Sequence, residues 1–172
     1  MSWFVIDVES DGPIPPMYSM VCFGAVLVDN KLNKTFYGKV KPISNIYQVD
    51  ALSISGFSRE EHNNFNDPHD IMEEFEKWLN KNSKGRPIMI SDNIAYDWQW
   101  INYYFHRYLG RNPLGFSGRR IGDLYCGMVN DSFAKWKHLR ETKHDHNPVN
   151  DAIGNAEVLL KMKELGLKIP KK

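Results

Sequence analysis

The chain has 172 residues, 42% hydrophobic and 25% charged, the size and composition of one compact soluble domain rather than of a disordered, fibrous or disulfide-stapled chain. Its net charge of +1 neither favours nor excludes a polyanionic partner, and its two cysteines, Cys22 and Cys126, read as reduced core residues outside any zinc-type spacing. The N-terminus reaches Asp7 too early for a signal-peptide apolar region, and no stretch of about 18 uncharged apolar residues occurs, so a cytoplasmic protein with no membrane partner is expected.

Trp3 to Val8 is a short run of β-branched and aromatic residues ended by Ser10-Asp11-Gly12-Pro13, which predicts a buried strand running into a turn. Met20 to Asp29 predicts a second strand, Asn30-Lys31-Leu32-Asn33 a turn, and Thr35 to Val40 a third strand, all three antiparallel. From Pro68 the spacing becomes helical: Ile71, Met72, Phe75, Trp78 and Leu79 share a face, Asp67 caps the start, and Lys84-Gly85-Arg86-Pro87 ends the helix. Ile88 to Ile90 predicts a short buried strand. Trp98 to Leu109 follows as a helix carrying Ile101, Tyr104, Phe105 and Tyr108 inward, with Tyr103 and Tyr108 open to either the core or a homodimer interface. Arg119 to Gly122 is read as a last short strand before a helix starting near Asp123. Asn147 caps a final helix with Pro148 at its first position, running through Val149, Ile153, Ala156, Leu159, Leu160 and Met162 to Gly166. Three meandering strands followed by alternating helix and strand predict an α/β sandwich with a mixed sheet, and residues 1–172 are read as a single domain.

Asp7 and Glu9 interrupt an apolar strand at i, i+2 spacing, which puts both carboxylates on one face, roughly 6.6 Å apart along the strand. Adjacent like charges are costly to bury unless a cation neutralises them, although such a pair also fits the exposed end of a strand. Asp97 follows the Ile88–Ile90 strand at the mouth of a helix, where it suits either the same site or a helix cap. His146 stands five residues before Asp151, and Asp151 falls in the first turns of the last helix, where an acid also complements the helix dipole. Lys135, Lys137, Arg140 and Lys143, interleaved with Phe133 and Trp136, form either a phosphate-guiding patch or a solvated face.

Three segments, Phe4-Val5-Ile6-Asp7-Val8-Glu9, Asn93-Ile94-Ala95-Tyr96-Asp97 and His146-Asn147-Pro148-Val149-Asn150-Asp151-Ala152, resemble the exonuclease motifs of the DEDDh family. That family includes polymerase proofreading subunits, RNase T and oligoribonuclease, and the resemblance runs from about residue 3 to about residue 165. It implies an RNase H-like three-layer fold: a central mixed five-stranded sheet, three strands antiparallel and then parallel strands, flanked by helices. It also implies a 3'-5' exonuclease that releases nucleoside 5'-monophosphates from single-stranded RNA or DNA 3' ends. Asp7, Glu9 and Asp151 would hold one Mg2+ or Mn2+, Asp7 would bridge to a second supported by Asp97, and His146 would be the general base. Leu52-Ser53-Ile54-Ser55-Gly56-Phe57-Ser58 resembles the family segment that meets the 3'-terminal nucleotide, so Ile54, Ser55, Gly56 and Phe57 are expected substrate contacts. Val8 and Ser10 beside Glu9, Tyr96 and Lys143 complete the expected contacts. Asp92 stands where many members carry His, adding negative charge near the site. A competing reading is a catalytically inactive nucleic-acid-binding module on the same fold.

Overall fold

The computed structural model describes residues 1–170. Its five-stranded sheet has the order β3-β2-β1-β4-β5, from strands β1 (Ser2–Ser10), β2 (Met20–Leu27), β3 (Thr35–Lys39), β4 (Pro87–Ser91) and β5 (Arg119–Arg120). β1 pairs antiparallel with β2, as β2 does with β3, while β1 with β4 and β4 with β5 run parallel. The mixed sheet expected from the sequence is the one observed.

Alternation along β1 sorts its side chains between two layers. Phe4, Ile6 and Val8 enter a core with Phe75 and Leu79 of helix α3 (Pro68–Asn82) and Trp100, Tyr104 and Phe105 of helix α4 (Ile94–Leu109). Trp3 and Val5 enter a second core on the opposite face, under Ala152, Ala156, Leu159 and Met162 of helix α6 (Pro148–Glu164). By the same alternation Asp7 and Glu9 belong to the α6 side. α6 lies close on the sheet because small residues line the contact. Gly24, the register partner of Asp7, abuts the backbone of Pro148 and Val149, and a Cβ there would collide with both.

The predicted boundaries shift where tertiary contacts override local signals. α4 begins at Ile94 rather than Trp98, after an Asn93 cap that makes no side-chain hydrogen bond, so Asp97 lies inside the first turn and not at the cap. Helix α5 (Ile121–Val129) begins at Ile121 instead of Asp123. Two short helices, α1 (Val49–Ile54) and α2 (Arg59–Asn63), carry no sequence prediction; α2 is closed by a capping box between Ser58 and Glu61. Asp67 and Asn147 cap α3 and α6 as expected, each accepting from a first-turn amide. Cys22 is buried, Cys126 half-buried, and both are free thiols. Tyr103 and Tyr108 pack half-buried against the first core. No helix among the described residues is long and apolar enough to cross a membrane.

Candidate active site

Pairing between β1 and β4 covers only Ser2–Val5 against Pro87–Ile90. Beyond Val5 the chain after β4 turns into α4, and the first-turn carboxylate Asp97 takes over the freed edge of β1, accepting the Val8 N–H at 3.1 Å. A crevice at the carboxyl end of adjacent parallel strands is where open α/β sheets place their ligands. Asp97 also accepts a short hydrogen bond from the Ser91 hydroxyl, so both oxygens are fixed. The Val8 amide is thereby spent on Asp97.

Asp7, Glu9 and Asp151 each offer one oxygen within 4.8 Å of the others, and so do Asp7, Asp92 and Asp97. Asp7 thus belongs to both groups. Burial, and then the charges of Asp97, Asp151, Glu9 and Asp92, hold its carboxyl well above the usual carboxylate range. Glu9 is pushed up to about 7 by burial and by Asp151, against a smaller lowering by His144. Asp97 is raised by burial, in spite of the hydrogen bonds from Ser91 and Val8.

These shifts have a consequence for stability. The folded Glu9 carboxyl titrates at about 7 against an ordinary 4.5, so the native state binds more protons than the unfolded chain above pH 4.5. The metal-free protein is therefore expected to be most stable below about pH 4.5 as far as this group is concerned. It should lose on the order of 3 kcal/mol as pH rises through 7, with Asp7 and Asp97 acting in the same direction. Melting in EDTA from about pH 5.5 to about pH 8.5 checks this, and a melting temperature that is flat or rising over that window would refute it.

Asp151 is 1% exposed, with Oδ1 bound by Arg140 Nη2 at 2.9 Å. Its Oδ2 lies 2.8 Å from His144 Nδ1 but has no hydrogen-bond partner. Arg140 is 10% exposed, donates to the Thr142 carbonyl and fills the space where a Cβ of Gly154 would stand. It is committed to Asp151. Of the other basic residues, Lys135 and Lys143 are exposed and Lys137 approaches Asp92 at 3.9 Å, while Phe133 is exposed and Trp136 buried.

His146 adopts φ +60°, a left-handed conformation uncommon for a non-glycine residue. Asp145 holds that turn by accepting from the Asn147 amide at 3.0 Å and from Asn150 Nδ2 at 2.8 Å. The result brings His146 Nδ1 within 3.5 Å of Glu9 Oε1 with the ring half exposed.

The expected substrate residues separate into two groups. Ser10 and Tyr96 meet at 2.5 Å between hydroxyls, and Ser10 Oγ also donates to the Gly12 carbonyl. Ile54 and Gly56 are exposed, Gly56 at φ +76°. Ser55 is buried with its hydroxyl donated to the Leu52 carbonyl, and Phe57 packs edge-on against Phe65 with the Lys39 ammonium 4.5 Å over its ring. Both are occupied in local packing. Sequence reasoning missed the buried Asp11, which accepts from the Ser19 amide and from Arg59 at 2.8 Å; Arg59 continues to the Ser44 carbonyl. This network ties the loops after β1 and β3 together beside the crevice.

No family model matches the chain. The 3'-5' DNA exonuclease Cap18 of Escherichia coli is 37% identical over 166 residues, spanning 89% of this chain and 87% of that protein. The nuclease domain of 3'hExo, a DEDDh family member solved bound to rAMP, superposes with a TM-score of 0.77 at 18% identity, covering 99% of this chain and 96% of that one. The chain belongs to the DEDDh family of 3'-5' exonucleases. Escherichia coli Exonuclease I, solved with a dT13 oligonucleotide, shares the fold at a TM-score of 0.71 and 16% identity, over 96% of this exonuclease and 41% of the larger chain. As a DEDDh member the protein is a hydrolytic exonuclease, and its acidic groups are able to hold a metal ion.

Proposed function

We propose that this exonuclease removes nucleotides from the 3' end of single-stranded DNA, using two Mg2+ or Mn2+ ions held by Asp7, Glu9, Asp97 and Asp151, and releases nucleoside 5'-monophosphates. The observation that carries this reading is the membership of Asp7 in both carboxylate groups. The residues fit hard divalent ions: the donors of both groups are all oxygen, burial and mutual repulsion call for a counter-charge, and Asp151 Oδ2 is buried without a hydrogen bond. When bound, such ions supply charge neutralisation and Lewis acidity at the scissile phosphate.

The chain's own residues do the rest. Asp7 is the shared ligand, Glu9 and Asp151 serve one group, and Asp97 serves the other with Asp92 beside it. His146 Nδ1, the ring nitrogen on the Glu9 side, takes the proton of the attacking water, and Glu9 steadies the imidazolium. Ser10 and Tyr96, with exposed Ile54 and Gly56, border the terminal nucleotide, while Lys143 and Lys135 attract the backbone. DNA is favoured over RNA by the activity named for Cap18, and single strands by the oligonucleotide held in Exonuclease I. An inactive binding module would have no use for buried carboxylates whose charges oppose folding.

Incubation with 3'-blocked and 5'-blocked DNA and RNA, with and without chelator, tests the reading. Shortening of 5'-blocked DNA in Mg2+ or Mn2+ is expected, with 3'-blocked strands intact and no reaction in chelator. Loss of 3'-blocked strands, or activity that survives the chelator, would reverse it.

A further inference from the structure

We propose that His144, His146 and Asp151 form a binding site for a transition-metal ion of the Zn2+ class, and that filling it switches the exonuclease off. The switching part rests on the assignment of His146 as base; the binding part does not.

His144 lies outside the motif that carries His146, yet the two rings meet edge to face with centroids 4.3 Å apart. One ligand atom from each histidine and one from Asp151 lie within 4.8 Å of one another. Asp151 supplies a further sign of a ligand, through the same oxygen that serves the all-oxygen group. Arg140 occupies its Oδ1, and Oδ2, on a side chain only 1% exposed, is left without a hydrogen bond although His144 Nδ1 is 2.8 Å away. Two polar atoms that approach without hydrogen-bond geometry suit ligands converging on a third point.

The donor set selects the ion. Two imidazoles and a carboxylate are borderline ligands that suit Zn2+ and its first-row neighbours, with a fourth position left for water, whereas Mg2+ prefers oxygen alone. At Zn–N and Zn–O distances of roughly 2.1 Å, tetrahedral ligands stand roughly 3.4 Å apart. The His144–Asp151 contact must open slightly, which two half-exposed side chains at 54% and 48% allow. An ion there takes the imidazole of His146 and a carboxylate oxygen of Asp151 together. It removes the proton acceptor and competes with the all-oxygen group for Asp151, so the enzyme would read the ratio of Zn2+ to Mg2+.

The test is titration of the intact protein with Co2+ in excess Mg2+, followed by visible absorption, alongside Zn2+ inhibition of DNA degradation. Wild type and Asp7→Asn should both bind one Co2+ with the spectrum of an imidazole-ligated four-coordinate ion, although Asp7→Asn is inactive. His144→Gln should weaken Co2+ binding roughly tenfold or more, keep its Mg2+-supported activity, and need correspondingly more Zn2+ for inhibition. Unchanged Co2+ affinity in His144→Gln overturns the site, and unchanged Zn2+ inhibition there overturns the switch. Absence of nuclease activity in the wild type would instead count against the functional reading, leaving the absorption titration intact as a test of binding.

Discussion

Asp7→Asn is expected to lower exonuclease turnover by roughly a thousandfold or more, about 4 kcal/mol of transition-state stabilisation, while raising the melting temperature of the chelated protein. The two effects have one origin. Asp7 is the carboxylate common to both acidic groups, and its charge is disfavoured by burial and by Asp97, Asp151, Glu9 and Asp92. Without cations that charge opposes folding at neutral pH, because the folded pKa lies above the unfolded one. The amide is nearly isosteric and removes the repulsion, but it is a poorer ligand. Degradation of labelled single strands in Mn2+ and thermal melting in EDTA measure the two sides. A variant both active and less stable than wild type would contradict the shared-ligand assignment.

His146→Ala is expected to reduce kcat by roughly a hundredfold to ten-thousandfold, with KM and Mn2+ affinity changed little. The side chain is half exposed and faces Glu9 at 3.5 Å, so it reaches the carboxylate cluster without being part of the packed core. Its loss removes proton acceptance and leaves the four acids in place. Single-turnover kinetics combined with Mn2+ calorimetry separate these quantities. A purely KM effect would make His146 a substrate contact, and wild-type turnover would end its assignment as base.

Much of this arrangement was legible in the residues. Asp7 and Glu9 stand out because charges inside an apolar strand need a reason, and the change from period two to helical spacing at Pro68 marked the layers correctly. The start of α4 was not legible: Asn93 caps it without a side-chain hydrogen bond, and Asp97 mimics a cap while its oxygens go to Val8 and Ser91. α1 and α2 span six and five residues, too short to display a periodic face. The place of Arg140 was open for a different reason. A basic residue among lysines reads as a phosphate guide or as part of a solvated face, and only the folded chain shows that Gly154 clears a path for it to Asp151. His144 carried no signal because the second oxygen of Asp151, 2.8 Å from its Nδ1, stands out only once Arg140 has taken the first.

The bare hydrogen of Gly24 determines what kind of dimension the spacing of the proposed metal ligands is. Where α6 crosses β2, main chain rests on main chain, directly across from Asp7. The gap between Asp7 and Asp151 is therefore gauged by covalent backbone geometry and not by the rotamers of an intervening side chain, so core substitutions elsewhere can loosen the protein without resetting it. A single methyl at position 24 would act as a shim, prying the start of α6 away from the sheet and widening the Asp7–Asp151 gap on which the proposed metal site depends.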